Sequence, residues 1–493
     1  MGRRIALSLV SHTNAGKTTL ARTLLGRDIG EVRDAPHVTE FADEHVLIEL
    51  PEAEGGDALC LWDTPGFGDS ARLARRLRSA ERPLGWLLSQ VWDRIADRPF
   101  WSTQQALQHV RARADVVLYL VNAAESPAAA GYVAPEMELL GWLGKPVLVL
   151  LNQLGAPRPA AEEAAEVERW RSHLAATPLV RAVLPMDAFA RCWVQELTLL
   201  RTAEAALDGD ARATMARLRR AWAERREAQF AQAMALLAAS MARVALAREA
   251  VADAGRLRDA ARRLGRALGL ARGADDPATL AQQALAAALD AEVRHDTAEL
   301  IALHGLRGQA QGEILQRVAE HFELHLPLPE GKAAALGGLL TGALTGLKAD
   351  LATGGMSLGA GLLAGGVLGA LGGAGAARAV NLLRGLEQGW VGWSDEALTP
   401  MTEAALLRYI AIAHFGRGRG DWAAGESPPH WRAVVRAALA PQHAALALLW
   451  RQRGDADALA GRLQPLLDAA ARAALRELYP DASGDVRDAP ARP

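Results

Sequence analysis

The clearest chemistry in the chain lies in "SHTNAGKTTL", residues 11–20. Gly16, Lys17 and Thr18 set a glycine, a cation and a hydroxyl in succession, after an apolar run and before a helical pattern. That order suits a polyphosphate: loop N–H groups, with Ala15 and Thr19 beside the triplet, and the following helix N-terminus face the anion. Lys17 would reach the β- and γ-phosphates, and Thr18 would place its hydroxyl on Mg²⁺. Gly16 stands where backbone must approach phosphate. Ser11 holds the outer loop position, usually glycine, and is small enough to substitute.

Gly-Lys-Thr occurs by chance in many chains, so a second element has to support it. "WDTPGFGD" follows the apolar run "ALCLWD". Asp63, at the end of that run, can hold Mg²⁺ through water, and Gly66 can offer its N–H to a γ-phosphate and so report hydrolysis. Between the two elements lies "GEVRDAPHVTEFADEHV", with Thr39 in a turn-rich segment. A threonine there can reach Mg²⁺ when the γ-phosphate is present and order the loop; the alternative is an ordinary loop threonine.

These residues need a rigid frame. "RIALSLV" (4–10), "HVLIEL" (45–50), "ALCLWD" (58–63), "DVVLYLV" (115–121), "PVLVLLN" (146–152) and a weaker "LVRAVLP" (179–185) read as strands, most of them separated by helical patterns. Continuous apolar strands with helical crossovers predict an α/β domain with a mostly parallel sheet covered on both faces. "PEAEGGD" leaves no room for a helix, so the second and third runs should pair antiparallel at the sheet edge.

The domain reading is a nucleotide-binding domain over 1–200, interrupted at 80–113 by an insertion carrying Trp86, Trp92, Phe100 and Trp101. This insertion reads as a helical hairpin on the sheet or as a partner surface that responds to nucleotide. Residues 201–330 form an Ala/Leu/Arg-rich helical domain with solvated charged faces. Residues 331–385 are a glycine-rich apolar hairpin, 386–480 a C-terminal helical domain, and 481–493 a disordered tail.

The hairpin is distinctive. Residues 333–347 and 351–377 carry no charge, and Gly361, Gly365, Gly369 and Gly373 recur at every fourth position. Glycine costs a helix about 1 kcal/mol relative to alanine, so such spacing suits a face that lets another backbone approach closely, as in membrane helix pairs. The first stretch would span about 22 Å as a helix, short of the ~30 Å of a bilayer core. Two readings follow: a hairpin that dips into the cytoplasmic face of a membrane, meeting lipid or a membrane protein, or a glycine-packed pair buried in protein.

A formal net charge of -2 does not predict a nucleic-acid partner. Two cysteines, Cys60 and Cys192, cannot build a disulfide framework and fit a reducing cytoplasm. The N-terminal run leads at once into the phosphate loop with no cleavage site, so no signal peptide is expected. The start "MGRRIA" lacks the Ser or Thr of a myristoylation signal.

The loop, Thr39, "DTPG" and the antiparallel edge pair together resemble the Era-like translation-factor class of GTPases. "TNAGKTTL" resembles the phosphate loops of the tRNA-modifying and ferrous-iron-transport GTPases of that class. The order of the loop, "DTPGFGD", "LLNQLG", "DAFARCW" and a late Gly/Ala-rich segment resembles the bacterial GTPase family bearing the domain of unknown function 3482. That resemblance implies GTP and GDP as ligands with Mg²⁺, and a molecular switch that hydrolyses GTP. A nucleotide-binding scaffold with little turnover, and an NTPase of relaxed or adenine specificity, are the alternatives.

Three positions depart from the class. Its guanine-reading Asn-Lys-x-Asp is here Asn152, Gln153, Leu154 and Gly155. Asn152 can still tie this loop to the phosphate loop, but the stacking lysine and the base-reading carboxylate are gone, which weakens guanine preference or moves it elsewhere. "MDAF" resembles the last base-contacting loop, with Ala188 placed to offer a backbone N–H. Phe67 stands where Ras-type enzymes carry a water-orienting glutamine, so intrinsic hydrolysis should be slow. In the resembling GTPases an asparagine at the position of Asn14 helps bind K⁺, whose charge stabilises the transition state. The resemblance therefore implies K⁺-stimulated hydrolysis by paired GTPase domains; the alternative is that Asn14 only braces the loop.

Overall fold

The computed structural model describes residues 2–26, 42–79, 98–155, 157–188, 192–250, 277–306, 390–414 and 428–481. The chain divides into two compact units. The first comprises Met1–Gln229 with Ala413–Trp422 and Leu475–Arg487; the second comprises Phe230–Ile412, Ala423–Ala474 and Asp488–Pro493.

The first unit is built on six strands: β1 (Arg4–Ser11), β2 (Asp43–Glu49), β3 (Ala58–Asp63), β4 (Val116–Asn122), β5 (Val147–Asn152) and β6 (Val180–Pro185). Their order is β2-β3-β1-β4-β5-β6. All neighbours are parallel except the β2–β3 pair at the edge, which is antiparallel. This is the α/β sheet the sequence predicts, with each strand end within two residues of its expected place. The central strands are buried along almost their whole length, as parallel strands covered on both faces must be.

Helices α1 (Lys17–Leu25), α2 (Ser70–Arg78), α3 (Arg98–Arg113), α4 (Val133–Gly141), α5 (Ala160–Leu174) and α6 (Trp193–Ala205) alternate with the strands. Leu73 and Leu77 of α2, Leu107 and Val110 of α3, Met137 and Leu140 of α4, and Trp170 of α5 form one core with Val117, Tyr119 and Val149 of the sheet. Residues 80–97, most of the tryptophan-bearing insertion, lie outside the described residues. Its C-terminal part is α3, anchored by Phe100, over which Arg72 and Arg76 stack at 4.7 and 5.0 Å. The two cysteines are buried and unbridged.

Helix α7 (Gly209–Leu246) follows. The second unit holds a short antiparallel pair, β7 (Arg248–Ala250) and β8 (Trp390–Gly392), and helices α8 (Pro277–Leu303), α9 (Asp395–His414), α10 (Pro429–Leu439), α11 (His443–Arg451) and α12 (Ala456–Leu478). A buried ion pair joins α8 to α9: Arg408 Nη2 donates to Asp296 Oδ2 at 2.7 Å, and Ser240 Oγ donates to the same oxygen at 2.8 Å. The glycine-rich segment read as a membrane hairpin lies outside the described residues. Among those described, Gly209–Leu246 and His430–Arg451 contain windows long and apolar enough to cross a membrane by length and composition. Over half of the first window is buried in protein, and core helices of soluble proteins pass the same test.

Candidate functional site

The site forms where the C-terminal ends of β1, β3 and β5 open onto α1, as ligand sites in open α/β sheets do. Loop residues 12–16 join β1 to α1. Asn14 (φ 65°) and Gly16 (φ 88°) are both left-handed. Asn14 is exposed. Gly16 is doubly constrained, because a Cβ there would also stand 2.6 Å from Asn152 Nδ2. Left-handed turns of this kind aim successive N–H groups into one concavity.

Lys17 is buried at the first position of α1, and its Nζ donates to Ser11 Oγ at 2.9 Å. Ser11 Oγ in turn donates to the His12 carbonyl at 2.5 Å. Ser11 therefore does more than replace a glycine: its hydroxyl holds the lysine over the loop. Burial pushes the Lys17 amine below its usual pKa, opposed by the charges of Asp63 and Glu136. Thr19 is buried too, and its carbonyl accepts from Thr23 Oγ1 at 3.0 Å.

Thr18 Oγ1 donates to Asp63 Oδ2 at 2.6 Å. The β1–β3 register, which sets Leu9 beside Asp63, delivers the carboxylate to the start of α1. Burial raises the Asp63 pKa, opposed by Lys17 and by the Thr18 hydrogen bond. Its other oxygen, Oδ1, is buried and has no hydrogen-bond partner among the described residues. A buried anionic oxygen beside a threonine hydroxyl fits Mg²⁺, whose ligands are hard oxygens. Thr39, the third expected Mg²⁺ residue, lies outside the described residues.

The segment after Asp63 is closed down on the loop. Phe67 N–H donates to the Ser11 carbonyl at 2.9 Å, and Thr13 N–H donates to the Phe67 carbonyl at 3.2 Å. Gly66 lies so close that a Cβ would meet Thr13 Cγ2 at 3.0 Å and Lys17 Nζ at 3.1 Å. The Phe67 ring is fully buried in the core, where it cannot orient water.

Beneath the loop is a network that sequence reasoning missed. Glu136 of α4 is fully buried. Its Oε1 lies 2.8 Å from His12 Nδ1 and accepts from Ser70 Oγ at 3.1 Å; its Oε2 accepts from Tyr119 OH at 2.6 Å. Tyr132 stacks on the His12 ring at 4.7 Å. Burial raises the Glu136 pKa, opposed chiefly by the His12 hydrogen bond. One carboxylate thus joins the phosphate loop to the first residue of α2, just after the Asp-x-x-Gly segment. The available signal was a glutamate sharing a helix face with Val133, Met137 and Leu140.

At the other end, Asn152 Nδ2 donates to the Ala15 carbonyl at 2.8 Å, tying β5 to the phosphate loop. Its Oδ1 accepts from Ala188 N–H at 2.9 Å. The Ala188 amide, expected to face a base, donates here to Asn152. The Ala188 carbonyl accepts from Thr23 Oγ1 at 2.8 Å, and Asp187 Oδ2 accepts from Leu154 N–H at 2.7 Å. Gln153 (φ 60°) and Gly155 (φ 81°) are left-handed, and a Cβ on Gly155 would meet nothing within 4 Å.

Fold and site together define a P-loop GTPase domain. Residues 6–153 match the family model described as "50S ribosome-binding GTPase", and residues 171–479 match the "domain of unknown function (DUF3482)". The second match spans more than half of the 493 residues, and the chain belongs to that DUF3482-bearing GTPase family. No curated protein matches it significantly. Among solved structures it is similar to an Era variant from Aquifex aeolicus bound to GDP and AlF4⁻, at 18% identity over 42% of this chain and 58% of that one, TM-score 0.31. It is similar to Era in complex with MgGDPNP and 16S ribosomal RNA, at 19% identity over 38% and 52% of the two chains, TM-score 0.28. It also resembles mGMPPNP-bound NFeoB from S. thermophilus, at 15% identity over 44% and 87%, TM-score 0.23. The chain thus spans little more than half the length of the two Era structures, and at these scores the likenesses add nothing to the family assignment. The RNA is a ligand of that Era protein.

Proposed function

We propose that this protein binds GTP and GDP with Mg²⁺ and hydrolyses GTP slowly, as a switch read out by its helical region. The observation that carries the proposal is the meeting of Thr18 and Asp63 at 2.6 Å beside the buried Lys17, with Asp63 Oδ1 left unsatisfied among the described residues. Thr18 and Asp63 would hold the Mg²⁺, which when bound neutralises charge on the phosphate oxygens. Lys17 supplies a fixed positive charge in a dry site, where it acts more strongly than in water. Gly66, packed against Thr13 and Lys17, reads the terminal phosphate through its N–H, so Thr39 and the 63–69 segment are the parts that change with nucleotide.

Slow turnover is supported by the burial of Phe67, which leaves no water-orienting side chain at that position. Asn14, left-handed and exposed, is the residue to bind K⁺ across a pair of GTPase domains. Hydrolysis by the full chain in K⁺ should exceed that in Na⁺ at equal ionic strength, and Asn14→Ala should abolish the difference; equal rates would remove the K⁺ role. Membrane association of the glycine-rich 333–377 segment is supported by its composition. It predicts GTP-dependent binding to anionic liposomes that Lys17→Ala loses.

A further inference from the structure

The backbone of the Asp-x-x-Gly segment meets the phosphate loop around one residue. His12 and Phe67 pair as a parallel bridge, with Phe67 N–H donating to the Ser11 carbonyl and Thr13 N–H to the Phe67 carbonyl. Bonds centred on a single residue make a pivot; they do not by themselves fix the angle of the chain on either side. Glu136 supplies the second point of attachment. Its Oε1 lies 2.8 Å from His12 Nδ1, in the loop, and accepts from Ser70 Oγ at 3.1 Å, beyond the pivot. Ser70 is itself tied back to the segment, its N–H donating to the Gly68 carbonyl at 2.9 Å. His12, Phe67, Ser70 and Glu136 therefore close a ring of chain and hydrogen bonds. Gly68 N–H also donates to Thr103 Oγ1 on α3 at 3.0 Å, a hold that does not include the loop.

The carboxylate in this ring is fixed from behind. Tyr119 OH on β4 donates to Oε2 at 2.6 Å, and Glu136 and Ser70 are both buried. A buried polar network with its members satisfied makes rigid what it joins. Gly66 is the residue just before the pivot, and a Cβ on it would stand 3.1 Å from Lys17 Nζ. Fixing the angle at Phe67 thus fixes where the Gly66 N–H stands beside the lysine.

We propose that Glu136 is a positioning residue for the terminal phosphate: by holding His12 and Ser70 on one oxygen, it sets the aim of the Gly66 N–H. GDP has no γ-phosphate for that N–H to meet, so the latch acts on the triphosphate form.

This inference rests on the nucleotide reading above, and the experiment separates the two. The full-length protein is titrated in Mg²⁺ with GDP and with a non-hydrolysable GTP analogue, as wild type, Ser70→Ala, Glu136→Gln and Ser8→Ala. Ser70→Ala opens the ring while leaving His12 and Tyr119 on the carboxylate, a milder cut than Glu136→Ala. Glu136→Gln keeps an acceptor for Ser70 and serves as the conservative rescue. Ser8 is a buried serine of the same unit whose hydroxyl lies 3.1 Å from His109 Nε2, outside the ring; its variant controls for lost stability. Ser70→Ala should weaken the analogue about 5-fold and leave GDP within about 2-fold of wild type. Glu136→Gln and Ser8→Ala should keep the wild-type ratio of the two ligands, although Ser8→Ala lowers the unfolding midpoint. Wild type that binds neither ligand defeats the nucleotide reading itself. Wild type that binds both, with an unchanged ratio or an equal loss of both in Ser70→Ala, overturns the role of Glu136. So does a Ser8→Ala protein whose ratio moves as far as that of Ser70→Ala.

Discussion

The two ends of the nucleotide site follow different rules. At the phosphate end, three residues stand as polyphosphate chemistry asks: Gly16 in a left-handed turn, Lys17 buried, Thr18 on Asp63. In the loop after β5 Asn152 keeps its usual type, while Gln153 and Gly155 stand where lysine and aspartate are expected. Phosphate is gripped by backbone N–H groups, a helix end and one cation, an arrangement that depends on the strand–loop–helix geometry itself. A base edge is read by one or two side-chain acceptors, and any strand end at the right distance can supply them.

The comparison can be broken first at Lys17. Lys17→Ala removes the cation from a buried anion site, and GDP affinity should fall about 1000-fold, ~4 kcal/mol, measured by equilibrium titration; a loss under tenfold would show that the phosphate end is not the main grip. Next comes the floor of that end. Glu136→Ala leaves His12, Ser70 and Tyr119 without their common acceptor, and should destabilise the first unit by about 2–3 kcal/mol, read as a lowered unfolding midpoint. Asn152→Ala cuts a side chain that spans both ends. Losing two buried hydrogen bonds should weaken GDP by about 10-fold while also lowering its preference over ADP, whereas Lys17→Ala should weaken GDP and ADP in equal proportion.

The smallest effect comes from a group that touches neither end. His109 Nε2 lies 3.1 Å from Ser8 Oγ, and its ring packs tilted against Trp62 at 4.5 Å between centroids. Burial, with help from Arg113, lowers its pKa from 6.5 to about 4. The folded state therefore binds fewer protons than the unfolded state between these values, so the contribution is full above pH 6.5 and is lost as pH falls toward 4. His109→Gln should flatten that part of the stability–pH curve and leave nucleotide selectivity unchanged.

Legibility in the sequence follows the same division. The phosphate loop, Asp63 and the antiparallel edge pair are local patterns, and all six strands could be placed from short apolar runs. The Glu136 network could not, because residues 12, 70, 119 and 136 lie on four elements and meet only once the sheet order is set. Ser11 looked like a tolerated flaw, yet its hydroxyl holds Lys17 at 2.9 Å, a contact that spacing alone does not announce. The hydrogen bond from Ala188 N–H to Asn152 was not legible either, since an N–H can face a ligand or a neighbouring side chain with no difference in sequence.

Lys17, Thr18 and Asp63 are proposed to make this chain's grip on a guanine nucleotide. Displacement of labelled GDP from the full-length protein in Mg²⁺ tests it most directly. GTP should displace the label, an about 100-fold excess of ATP should not, and Lys17→Ala should never take it up. Equal displacement by ATP and GTP, or undiminished uptake by Lys17→Ala, would contradict it.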